Sequence, residues 1–149
     1  MDINLLDADL VSVTTANGSG PALLGARCGS CGTFVFPRMP ICPSCLIDGS
    51  MEDVEFGQTA VLYSHTIAHF APGGFEAPYF QAFVELYEGP RVFTLIGSVC
   101  PVESGVLKDG MVMRLIVEPL TSLPENRDKW TYKYVPEAFV QAAGGDNRA

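Results

Sequence analysis

From residue 60 onward the hydrophobic positions recur in short runs separated by turn residues. Ala60-Val61-Leu62-Tyr63-Ser64-His65-Thr66-Ile67 reads as a first strand after the turn Phe56-Gly57-Gln58. Tyr79-Phe80-Gln81-Ala82-Phe83-Val84-Glu85-Leu86 is a second strand, and Glu88-Gly89-Pro90 turns the chain into a third, Arg91-Val92-Phe93-Thr94-Leu95-Ile96. A fourth, Val112 to Glu118, follows the turn Lys108-Asp109-Gly110. The last, Trp130 to Val135, alternates aromatic or apolar residues with polar ones. Helix signals are scarce. Five strands with one tight hairpin suit a small closed barrel, and a five-stranded OB fold has that count; another small sandwich fits the same periodicity.

Ahead of the strands the pattern is different. Residues 1–21 form a leader with short apolar groups, Leu5-Leu6 and Leu10-Val11, broken by the flexible run Thr14 to Pro21; it reads as a segment that packs on another body. Residues 22–50 hold Cys28, Cys31, Cys42 and Cys45 in the spacing C-x2-C-x10-C-x2-C. Two residues between cysteines let both thiolates of a turn face one ion, and two such turns supply the tetrahedral sulfur set of a structural zinc site. Gly29 and Gly32 in the first turn and Pro43 in the second suit tight backbone. An iron centre would use the same sulfurs, and two disulfides would require an oxidising compartment, for which Met1-Asp2-Ile3-Asn4 gives no signal-peptide support. Four thiolates leave no open position, so the metal is expected to be structural. The domain reading is therefore leader 1–21, ribbon 22–50, barrel 51–137 and a flexible tail 138–149.

Charge narrows the partners. The formal net charge is -8, and the nine basic residues form no cluster ahead of position 127. Phosphate-backbone binding runs on positive surface, so a nucleic-acid-binding ribbon and barrel is a secondary reading. No apolar run is long enough to cross a bilayer, and a cytoplasmic protein is expected. Cys100 reads as a small buried hydrophobe. His65 and His69 lie on one side of a strand, as a metal or base pair or as unrelated strand and loop residues. The loop 70–78, with Phe70, Gly73, Gly74 and Phe75 between prolines, is a candidate lid or an ordinary connection. Arg91 has the geometry for a CoA phosphate, although surface arginines are common. The aromatic run Trp130 to Tyr134 is a core strand or a partner hot spot.

The ordered combination of motifs resembles a known family. The cysteine ribbon leads into Gly57 to Val61 with Ser64 and Thr66. Next come Pro78-Tyr79, Ala82, Val84, Leu86 and Glu88-Gly89-Pro90-Arg91-Val92, and then Gly110-Met111-Val112-Met113. Over residues 20 to 137 this is similar to the zinc-ribbon OB-fold proteins that accompany thiolases and related condensing enzymes, long catalogued as a domain of unknown function. The segment Ser98 to Gly105 departs from the shorter link of many relatives. The resemblance implies a mainly β protein, a rubredoxin-like ribbon followed by an OB-fold barrel, with structural zinc. It implies no catalytic residues of its own and no activity alone. The expected role is an accessory subunit, binding a thiolase-fold catalytic subunit that acts on acyl-CoA thioesters and sharing CoA or acyl-CoA with it. The small subunit of benzoylsuccinyl-CoA thiolase is similar in size and layout. An independent CoA-ester enzyme is the remaining alternative.

Overall fold

A computed structural model describes residues 10–12, 20–71, 76–98, 100–120 and 129–139. Among them are nine strands: β1 (Val11–Ser12), β2 (Ala22–Cys28), β3 (Phe34–Val35), β4 (Met51–Glu55), β5 (Thr59–Ala68), β6 (Tyr79–Leu86), β7 (Arg91–Leu95), β8 (Val112–Pro119) and β9 (Trp130–Pro136). They form two sheets. In the first, β2 pairs antiparallel with β1, β3 and β4; in the second the order is β7-β6-β5-β8-β9.

The second sheet closes on itself. Its edge strands meet through a parallel bridge between Ile96 and Tyr134, with the Gly97 amide donating to the Tyr134 carbonyl at 3.0 Å. The Tyr132 hydroxyl adds a bond to the Phe93 carbonyl at 2.8 Å. A five-stranded, partly open barrel of this order is the expected OB fold. Its interior follows from alternation: Phe80, Ala82, Val84 and Leu86 on β6, Val92 and Thr94 on β7, Met113 and Leu115 on β8, and Tyr134 on β9 are all buried. Truncating one of these large aliphatic side chains to alanine costs about 2–5 kcal/mol. The hairpin at Gly89 works because φ is +128° there, which glycine tolerates, and the Leu86 amide bonds the Pro90 carbonyl.

On β5 the alternation breaks. The pairing runs Leu62 with Val84 and then Ser64 with Phe83, so Tyr63 is an extra, bulged residue. Before the bulge the even-numbered Ala60 and Leu62 face the core; beyond it Ile67 packs on the core. The bulge also brings His65 into register with Ala82, edge-on to Phe80, with Nδ1 2.8 Å from Asp109 Oδ1. Among the described residues the only group of three or more candidate metal ligands is the four cysteines, and neither histidine belongs to it.

The ribbon sheet is larger than periodicity alone suggests. β2 carries buried Ala22, Leu23, Ala26 and Cys28, and β4 runs beside it from Leu24–Glu55 to Cys28–Met51. Residues of the expected leader belong here too. Val11 is 2% exposed and pairs with Leu23, so this part of the leader packs on its own chain and not on another body. The rest of the leader, residues 1–9 and 13–19, and the tail from 140 lie outside the described residues.

Aromatic rings fasten the ribbon to the barrel. Phe56, 3% exposed, stands between β4 and β5; its ring centroid is 6.1 Å from that of Phe34 and 6.4 Å from that of Phe36. Phe36 in turn meets Tyr132 of β9 edge-on at 6.1 Å. Tilted contacts at such spacing are favourable beyond the area they bury. Gly25 leaves room for this cluster: a methyl group there would lie 2.3 Å from the Phe56 ring and 2.4 Å from the Val35 carbonyl oxygen. Because the second obstacle is backbone, Gly25→Ala should destabilise the protein by about 2–3 kcal/mol. The check is the chemical-denaturation midpoint of the zinc-loaded protein, and an unchanged midpoint contradicts this packing.

Candidate metal centre

Two similar turns place the four sulfurs. In the first the Gly32 amide donates to the Cys28 carbonyl, and in the second the Leu46 amide donates to the Cys42 carbonyl, both at 2.8 Å. Amides inside each turn also point at a sulfur: Cys31 N to Cys28 Sγ, and Ser44 N to Cys42 Sγ, each 3.4 Å. The closing residue takes positive φ both times, +83° at Gly32 and +63° at Leu46. Glycine accepts that conformation freely, whereas a leucine pays about 1–2 kcal/mol.

The sulfur cage has the size a tetrahedral ion needs. Cys28 Sγ lies 3.7 Å from Cys45 Sγ, and Cys31 Sγ lies 3.6 Å from Cys42 Sγ; all four are within 4.8 Å of one another. Metal–sulfur bonds of about 2.3 Å in a tetrahedron set sulfurs about 3.8 Å apart. The residues therefore fit zinc, and the closed set of four leaves no coordination position for substrate. Cys28 and Cys42 are buried while Cys31 is exposed, so the ion would sit at the ribbon surface with half of its ligands rooted inside.

Hydroxyls next to the cage tune its thiols. The Ser50 hydroxyl, 3.3 Å from Cys28 Sγ, and then the Cys31 amide hold the Cys28 thiol down to about 6. The Thr33 hydroxyl, 3.2 Å from Cys31 Sγ, lowers Cys31. For Cys45 the Ile47 amide acts in the lowering direction, yet burial and the neighbouring thiols outweigh it and push the group up to about 11. Ser50 and Thr33 are neighbours of the cage that the cysteine spacing does not reveal, although each lies within five residues of a cage cysteine in sequence.

The other candidate residues are dispersed. Cys100 is 3% exposed within the core, burial raises its thiol, and its sulfur contacts the Pro101 carbonyl at 3.8 Å. Phe70, at the far end of β5, is 92% exposed; Gly73, Gly74 and Phe75 lie outside the described residues. Arg91 is held on the outer face of the barrel, 2.9 Å from Glu85 and 3.6 Å above the Tyr63 ring, and the Glu85 carboxylate raises its guanidinium further. Glu85 and Tyr79 mark the two ends of β6, about 20 Å apart at strand spacing, so Arg91 and Phe70 do not share one site. An exposed aromatic pair missed in the sequence, Phe83 and Phe93 at 5.6 Å, stands on the same face as Arg91. A cavity of about 250 Å³ opens among Tyr79, Phe80, Leu95, Cys100, Val102 and Lys133, and the Lys133 ammonium pairs with Glu118 at 2.9 Å.

Comparison with known proteins matches both halves. Residues 21–52 match the ChsH2 rubredoxin-like zinc ribbon domain, and residues 53–117 match the ChsH2 C-terminal OB-fold domain. A DUF35 domain-containing scaffold protein of Pyrococcus furiosus is 34% identical over 108 residues, 70% of this chain and 74% of that protein. The chain belongs to the ChsH2/DUF35 family. The benzoylsuccinyl-CoA thiolase subunit BbsA of Thauera aromatica is 34% identical over 92 residues, 62% of each chain. A solved Ltp2-ChsH2(DUF35) aldolase superposes with a TM-score of 0.61 at 32% identity, covering 78% of this chain and 85% of that one. Across archaeal scaffold relatives the matched stretches span 51 to 74% of the relative's own length. No helix among the described residues is long and apolar enough to cross a membrane.

Because metal must displace protons, zinc affinity should rise with pH. Below about 11 the Cys45 thiol has a proton to expel, which alone gives about tenfold tighter binding per pH unit; below about 6 the Cys28 proton steepens the slope. Competition titrations with a chromophoric chelator between pH 5 and 8 measure this, and a flat profile contradicts it. In the same assay Cys28→Ser or Cys42→Ser should abolish stoichiometric zinc.

Proposed function

We propose that this chain is a non-catalytic accessory subunit of a thiolase-type complex acting on acyl-CoA thioesters, stabilising the catalytic subunit and helping to form its acyl-CoA site in the cytoplasm. The observation that carries this reading is the pairing of four cysteine sulfurs converging on one tetrahedral cage with the absence, among the described residues, of any cysteine set against a base. Thiolase chemistry needs an activated thiolate and general bases. Here four cysteines converge on one cage, and the fifth is buried against a carbonyl. His65 is turned to Asp109.

The relatives support the same reading. One is named as a subunit of a thiolase, and another forms part of a solved aldolase with a second protein in its name. The chain's acidity disfavours the nucleic-acid alternative, since net charge -8 works against a phosphate backbone. We assign the partner and substrate contacts to Phe70, Gly73, Gly74, Phe75 and Arg91. The cavity beside Lys133 offers an apolar wall to an acyl group.

The decisive comparison is a thiolase-type subunit assayed for acyl-CoA cleavage with and without this chain. The account expects at least a tenfold loss of turnover, or loss of the soluble subunit, when the chain is withheld. Full turnover of the subunit alone, with no co-elution on gel filtration, contradicts it. Within the complex, Arg91→Ala should raise KM for the acyl-CoA with kcat unaltered; an unchanged KM would leave Arg91 a surface residue of the barrel.

A further inference from the structure

The second metal-binding turn carries a side chain that its own backbone disfavours. Leu46 occupies the position that Gly32 fills in the first turn, with the same positive φ and the same 2.8 Å amide-to-carbonyl bond. The residue is 74% exposed and lies outside the core cluster, so little burial offsets the strain. Three more exposed large apolar residues lie close to it in the chain: Ile41 and Ile47, each 46% exposed, and Met39, 40% exposed. The Ile41–Asp48 bridge ties Ile41, Leu46 and Ile47 into one small hairpin, which Met39 enters, and Cys42 and Cys45 of that hairpin belong to the sulfur cage. Its flank is acidic, with Asp48 of the hairpin and Asp53 of β4 exposed beside Met39; Arg38 is drawn to Asp53 at 3.4 Å.

We propose that this apolar tip, Met39-Ile41-Leu46-Ile47, is a docking anchor of the ribbon, and that it seats in an apolar socket rimmed by lysine or arginine on the catalytic subunit. The proposal rests on the accessory-subunit reading above and names the surface that performs it. The acidic flank selects a basic-rimmed protein, because it repels anionic lipid and nucleic acid alike and would repel its own copy across a two-fold axis. Four side chains also fall well short of the roughly 800 Å² per partner of a stable interface, so the tip acts as the central anchor of a larger contact. An exposed leucine kept at a strained position is what such an anchor looks like in the free subunit.

Three variants of the zinc-loaded chain test this against the thiolase-type subunit. Leu46→Gly and Leu46→Asn both accept positive φ; Leu46→Met keeps an apolar side chain in the same backbone. The glycine and asparagine variants should keep their zinc, melt at or above the wild-type temperature, and bind the subunit at least tenfold more weakly by calorimetry. Leu46→Met should match the wild type in all three measurements. Wild-type affinity in Leu46→Gly overturns the anchor while leaving the accessory reading intact. Weakened binding accompanied by zinc loss or a lowered melting temperature overturns it as well, by assigning Leu46 a folding role. A wild-type chain that does not bind the subunit at all removes both the anchor and the reading beneath it.

Discussion

The clasp of four sulfurs is the constraint on which the ribbon depends. Between Gly29 and Ser50 there is one two-residue strand and few buried side chains, Val35 and the cysteines Cys42 and Cys28 at its margin among them. So little apolar surface cannot offset the entropy of ordering some twenty residues at roughly 1–2 kcal/mol each. A metal–thiolate cage can, since in such modules binding energy is folding energy. The barrel has no such need: its core of inward-facing aliphatic residues on five strands, closed by the Ile96–Tyr134 bridge, resembles that of any small β domain.

The division of labour follows from that difference. The metal is spent on architecture, with every coordination position taken. The one cysteine outside the cage is buried in the barrel core, where a thiolate is unfavourable. What the molecule displays instead is contact surface: an apolar tip on the ribbon, an aromatic pair with a stacked arginine on the barrel, and an aromatic seam through Phe36, Phe56 and Tyr132 that joins the two bodies. Surfaces held rigidly on a scaffold suit a subunit that organises another protein.

Much of this was legible in the chain. Five barrel strands fall within one or two residues of where periodicity places them, because each has clean alternation or an apolar run bounded by Gly or Pro turns. The cage was legible because its ligands are close in sequence. The ribbon strands β2 and β4 were not. Ala22-Leu23-Leu24-Gly25-Ala26-Arg27 has weak strand propensity and a central glycine, whose reason is the Phe56 ring and the Val35 carbonyl pressed against it. The extra residue at Tyr63 was also hidden, since a bulge is fixed by the partner strand and not by local sequence. Burial of Val11 depends on pairing with Leu23, which no local pattern encodes. Leu46 could have been noticed by aligning the two turns with each other: the residue after each second cysteine is Gly in one and Leu in the other.

The most direct measurement is amide hydrogen exchange on the zinc-loaded chain before and after chelation. If the sulfur clasp alone holds the ribbon, the Gly32 and Leu46 amides lose protection when the metal leaves, while Leu62 and Leu115 in the barrel keep theirs. Ribbon amides that stay protected without metal would show that the cage is an ornament on a fold that stands without it.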